Sequence, residues 1–254
     1  MPIKITALAL ACLALPLASV SCAKKDSYGV ETKLRLPAER QQVWAVAPAL
    51  NLSGTDGIDP LLQADLLYAQ LQSVRGVIAI PVNRTAEVFA GLRIGAIRSP
   101  EQAADVCAAL GADAVIVPTV TLYDPYDPPK LGVSLQIFAA DPASLRGGQV
   151  PGAEQVRDLT RTAREAGTAL AMSDPRRASG QFLQQAGLFD ASHGSTRRAA
   201  QIYAKGRTDP SGPAGDREVF LVMDRYAGFV YHALLAEVMD DLSRRRAIVA
   251  SSSR

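Results

Sequence analysis

The stretch from Ala112 to Phe138, ADAVIVPTVTLYDPYDPPKLGVSLQIF, most constrains what this chain can fold into. It opens with a continuous apolar run, Ala114 to Val117, and after Pro118 it alternates: Val120 and Leu122 fall on one side, and Thr119, Thr121 and Tyr123 on the other. A proline-rich link follows. A second alternating run then places Leu131, Val133, Leu135 and Ile137 on one face. Unbroken apolarity implies burial on both faces of a sheet, and alternation implies one face in water. The stretch is therefore expected to form a buried parallel strand near a sheet centre that turns back into an antiparallel neighbour.

The segments before it supply the rest of a sheet. Gln42 to Leu50 reads as a first strand ending in Asn51-Leu-Ser-Gly-Thr-Asp-Gly, a run of turn formers. Asp59 and Pro60 start a helix whose apolar residues Leu61, Ala64, Leu67, Leu71 and Val74 share one face, and Gly76 stops it. Val77 to Val82 is a second buried strand. Asn83 is placed to cap a short helix carrying Val88, Phe89 and Leu92. Ser99-Pro-Glu-Gln is a capping box for a helix presenting Ala103, Val106, Cys107 and Leu110, with Gly111 at its end. Strand, helix, strand, helices, strand and strand make an α/β domain over 42–141. Its central strands are parallel, one strand is antiparallel, and helices pack on the sheet in two or three layers.

Beyond Asp141 the pattern thins. Residues 142–215 read as irregular or helical, with a helix expected from Asp174-Pro175 to Ala186, another over 195–205, and a loop at 206–215. Asp216 then caps a helix expected to reach about Arg246. Val219, Val222, Met223, Tyr226, Val230 and Leu234 keep helical spacing along it. Such a stripe is core in its own domain, or a surface for a partner helix.

The N-terminus addresses the chain. Lys4 precedes the apolar stretch Ile5 to Val20, interrupted by Pro16, and Ser19-Val20-Ser21 leads to Cys22. The stretch reads as a secretory signal over 1–21, too short and broken for a membrane span. Small residues directly before a cysteine resemble a bacterial lipoprotein signal, in which the Cys22 thiol is acylated; ordinary cleavage leaving a free Cys22 is the alternative. Residues 22–41 then form a tether. Ala23-Lys24-Lys25, with no Asp after Cys22, is by resemblance to enterobacterial sorting a signal for the periplasmic face of the outer membrane. Cys107 is read as a buried apolar residue, which leaves no disulfide framework.

Charge is nearly balanced, 27 Lys and Arg against 25 Asp and Glu, so nucleic acid is not expected as a partner. Arg244, Arg245 and Arg246 read as a solvated helix end, or as a contact to a phosphate surface. The chain carries no GxxxxGK[ST], HExxH, GxSxG or CxxC. Asp190, Ser192 and His193 could be drawn as a triad, but residues so close along a chain more readily cap one another. His232 lies off the apolar stripe beside Tyr231.

Two loops remain as candidate contact sites. Asn51, Ser53, Thr55 and Asp56 follow a strand's C-terminal end, where open α/β sheets bind ligands. Tyr123, Asp124, Tyr126 and Asp127 lie on a link stiffened by proline, and tyrosine suits protein contacts. Two carboxylates are too few for a cation site, so no metal and no cofactor is expected.

Residues 42–139 resemble the small α/β domain of several envelope lipoproteins: the CsgG family of curli secretion, the LpoB-type activators of peptidoglycan synthases, and the amino-terminal domain of TolB. The likeness is carried by VWAVAPALNLSG at 43–54, IAIPVNR at 78–84 and the run from Ser99 to Phe138, above all its Leu-Gly-Ala-Asp-Ala turn into the strand. The resemblance implies binding, assembly or secretion at the envelope rather than catalysis. The expectation is a lipid-anchored, non-enzymatic protein contacting an envelope partner, with homo-oligomerisation open. The alternatives are an exported enzyme handling a small ligand or nucleotide at Asn51–Gly57, and a subunit of an oligomeric secretion channel.

Overall fold

The computed structural model describes residues 33–141, 182–205, 207–209 and 211–252. Six strands form one mixed sheet: β1 (Gln42–Val46), β2 (Leu50–Asn51), β3 (Val77–Ile80), β4 (Ala114–Asp124), β5 (Lys130–Ala139) and β6 (Phe182–Asp190). The order is β3-β1-β4-β5-β6, with β2 continuing beside β4. β1 is parallel to β3 and β4, and β4, β5 and β6 are antiparallel in turn. The expected central strand is thus β4, with its antiparallel neighbour β5. Val115, Ile116 and Val117 are buried on both faces.

Local chemistry sets the helices. Asp59 accepts from the N–H groups of Leu61 and Leu62 at 2.8 and 3.3 Å, starting α1 (Pro60–Leu71). The helix α2 (Val82–Leu92) begins directly after Pro81, so Asn83 lies inside its first turn rather than capping it. Ser99 caps α3 (Pro100–Leu110), and Gly111 ends it at φ +64°, a conformation most side chains resist. Helix α4 is Gly194–Ala204; a 3₁₀ turn at Gly215–Arg217, a short α5 (Glu218–Leu221) and a long α6 (Met223–Ser252) complete the chain.

Several expectations are corrected. The helix predicted to reach Ala186 is, over its described part, strand β6, which pairs with β5 from Phe138↔Phe182 to Lys130↔Asp190. The long helix does not run unbroken from Asp216: Val222 is extended, φ −116° and ψ 109°, between α5 and α6. Val120 and Leu122 do not share a face, because a bulge at Thr121 turns Leu122 outward and brings Tyr123 onto the core side. Within 22–41, expected to be tether, Leu34 and Leu36 are buried and Arg35 bridges to Arg75.

α1 and α6 cover one face of the sheet, and α2 and α3 the other. Three layers therefore enclose β1 and β4. Among the described residues no element covers the second face over β6, where Gln184, Ala186 and Leu188 are exposed. Tyr226 to Ala236 of α6 are buried without interruption, so the middle of this helix is core and presents no partner surface. His232 is buried with it, its ring 5.2 Å from that of Tyr203. No single helix among the described residues is long and apolar enough to cross a membrane.

Candidate contact surface

The loop after β2 is built by its own side chains. Asn51 donates to the Thr55 carbonyl at 2.7 Å and accepts from the Ser53 N–H and hydroxyl at 3.1 and 2.7 Å. The Ser53 hydroxyl accepts from the Thr55 N–H, and the Thr55 hydroxyl from the Gly57 N–H, both at 3.3 Å. Of the four predicted residues, three are thus partners in a nested turn, and Asp56 stands exposed beside it. Groups engaged this way hold a loop's shape.

The proline-rich link divides its four predicted residues. Tyr123 leans on the core, and burial, followed by the nearby Asp224 charge, raises its hydroxyl above the usual value. Asp124 accepts from the Tyr126 N–H at 3.3 Å, and Asp127 lies 4.0 Å from the Arg217 guanidinium. Tyr126 is 81% exposed. The Ala191 N–H donates to the Pro129 carbonyl at 3.0 Å, fastening the end of β6 to the link.

The structure brings the two predicted sites to one end of the sheet. The Leu52 N–H donates to the Val120 carbonyl at 2.8 Å, just before the bulge that leads to the link. A row missed by alternation lies there as well. Leu122 pairs with Gly132, and Gly132 with Leu188, which places both leucines on the open face with a glycine between them. Leu52, Leu122 and Leu188 are 69%, 37% and 64% exposed. The sequence signal for this row is Gly132 inside an otherwise alternating strand, which marks a bulge or a close backbone approach; a Cβ there would come 2.7 Å from the Thr121 hydroxyl.

The Asp190–His193 segment forms no triad. Asp190 accepts from the Ser192 N–H at 2.8 Å, and Ser192 holds the Asp190 carboxyl below its ordinary range. His193 Nδ1 lies 3.8 Å from Asp190 on the exposed side. Cys107 is buried, and burial followed by the Asp113 charge pushes its thiol up to about 11, which keeps it protonated and inert. Arg244 and Arg245 pair with Asp240 and Asp241. Among the described residues no three His, Cys, Asp or Glu side chains gather as metal ligands would. Cys22 lies outside the described residues.

No protein-family model matches the chain, and no curated protein does. Solved structures similar to it include the lipoprotein GNA1162 of Neisseria meningitidis, at 18% identity over 51% of this chain and 99% of that one, with a TM-score of 0.30. A PelC dodecamer from Paraburkholderia phytofirmans is similar at 13% identity, over 65% of this chain and 84% of that one, with a TM-score of 0.29. A hypothetical protein from Chlamydia trachomatis is similar at 17% identity, over 52% of this chain and all of the other, with a TM-score of 0.27. These are partial likenesses of fold.

Proposed function

We propose that this chain is a lipid-anchored, non-enzymatic envelope protein, held to the membrane through Cys22, that binds a protein partner at the far end of its sheet. The observation that carries the reading is Tyr126, 81% exposed on a stiff link, at the same end as Leu52, Leu122 and Leu188. An exposed aromatic ridge beside an open apolar row suits a protein contact. The chain arrives from the opposite end: Arg35 pairs with Arg75 just before β3, and Arg40 binds Asp113 just before β4. The 11 residues of β4 separate the two ends by about 35 Å. A tethered module oriented this way presents its contact end away from the bilayer. Against an enzyme at Asn51–Gly57 stands the loop's own hydrogen bonding, which already engages Asn51, Ser53 and Thr55.

The anchor is tested by fractionation. Processing of the wild type should be blocked by globomycin, and Cys22→Ala should move the protein out of the membrane fraction. A wild type found soluble and unlipidated overturns the anchor.

A further inference from the structure

The first described residues alternate. Lys33 and Arg35 are exposed, and Leu34 and Leu36 are buried. The Arg75 N–H donates to the Leu34 carbonyl and the Leu36 N–H to the Arg75 carbonyl, both at 2.8 Å. This sets Arg35 directly opposite Arg75 across a parallel bridge. Like charges directly opposite destabilise a strand pair unless an anion meets them. Both arginines are exposed, and neither has an acidic partner among the described residues. On the other side of the same strand, Arg246 lines a shallow concavity with Leu36, Pro37 and Ala38. Over 33–40 the acidic side chain is Glu39, against Lys33, Arg35 and Arg40, and Arg40 is neutralised by Asp113.

The chain preceding this point bears on what the basic pole meets. Cys22 is followed by Ala23, Lys24, Lys25 and Asp26, with Glu31 further on, so two lysines and two acids balance and the positive charge lies in the pole itself. Residues 22–33 reach no more than about 40 Å even fully extended. We infer that the pole formed by Lys33, Arg35, Arg75 and Arg246 is the surface this chain lays against an anionic lipid leaflet. The inference rests on the reading of 22–41 as a membrane tether and adds to it an orientation. Acyl chains hold the protein near the bilayer, and the arginines turn the β3 and β4 starts toward it, leaving Tyr126 outward. Juxtamembrane basic residues gain affinity from anionic lipid in this way, within a Debye length of the surface.

The test uses the full chain carrying Cys22→Ala, so that lipidation plays no part in the outcome and the anchor stands or falls separately. Its partition onto vesicles of phosphatidylcholine is compared with partition onto vesicles that also contain phosphatidylglycerol. The leader's apolar affinity is common to both, so the ratio reports charge. The anionic vesicles should be preferred, the preference should fade as salt rises from about 0.1 M to about 0.5 M, and Arg35→Gln with Arg75→Gln should reduce it on the order of tenfold. Arg246→Gln, remote from the bridge, should reduce it in the same direction, and Arg84→Gln on α2 should leave it unchanged. Equal partition onto both vesicles, or an undiminished preference in the double variant, overturns the inference. Heparin bound as tightly through the same arginines would reassign the pole to soluble polyanions and overturn it as well.

Discussion

The Tyr231 hydroxyl donates to the Gln63 side-chain carbonyl at 2.9 Å, both groups buried, joining α6 to α1 across most of the chain. Two turns further along α1, Gln70 accepts from Tyr203 of α4 at 3.0 Å. The C-terminal helices are therefore bolted to the first helix by one polar pair inside the apolar core and one at its margin. Tyr231→Phe leaves the Gln63 carbonyl buried without this donor and should lower stability by about 1–3 kcal/mol in urea unfolding. Adding Gln63→Leu removes the stranded carbonyl and should recover most of the loss. A double variant as unstable as the sum of the singles contradicts this pairing.

Arg40 grips Asp113 with two contacts, 2.6 and 3.2 Å, and Asp113 also accepts from the Val43 N–H at 2.8 Å. These bonds, with Arg40 the largest contributor, hold the Asp113 carboxyl below its ordinary value. A carboxyl lowered in the folded chain and ordinary in the unfolded one stabilises the fold above the usual aspartate range, and that stability is lost as pH falls through the lowered value. The melting temperature of the wild type should therefore drop more steeply below about pH 4 than that of Asp113→Asn. Parallel curves for the two proteins would show that the ion pair contributes nothing.

Gly132 sits where the bulge brings β4 close. An added Cβ would meet the Thr121 hydroxyl at 2.7 Å, the Leu122 Cβ at 3.1 Å and the Leu122 N at 3.2 Å. Gly132→Ala should cost about 1–3 kcal/mol, as overpacking does, and shift the amide resonances of Thr121 and Leu122. A variant as stable as the wild type with unshifted resonances would mean the bulge is not held closed.

Cys107, 1% exposed with its thiol raised to about 11, should resist thiol reagents at about pH 8 in the folded protein. In denaturant the mature protein should release a single thiol, because acylation consumes that of Cys22. Two thiols would show that Cys22 is free.

Where a residue's burial followed from its own pattern, the fold was legible. Continuous apolarity at Val115–Val117 marked the sheet centre, and Ser99, Asp59 and Gly111 marked helix ends by side-chain chemistry that acts within a turn. Where a distant partner decides, it was not. Gln184, Gln185 and Ala186 suit a helix, but pairing with Gln136, Leu135 and Ser134 makes them a strand, and the Gln184 amide donates to the Ser134 hydroxyl at 2.9 Å. Val222 looks helical by spacing but is extended, and the chain bends by 87° there between the buried Val219 and Phe220 and the buried stretch that starts at Tyr226. The alternation Lys33-Leu34-Arg35-Leu36 was visible but lay in a segment read as polar tether. Of the candidate surface, Tyr126 was legible, while Leu122 and Leu188 were hidden by the bulge and by the misread β6.

The central claim is that the outward end of the sheet holds a partner in the native envelope. A photocrosslinking amino acid placed at Tyr126 in the full-length lipoprotein tests it most directly, with the same probe at Arg84 as control. The account predicts one discrete adduct, formed at Tyr126, absent at Arg84 and weakened by Leu188→Asp. No adduct at Tyr126, or the same adduct from both positions, would contradict it.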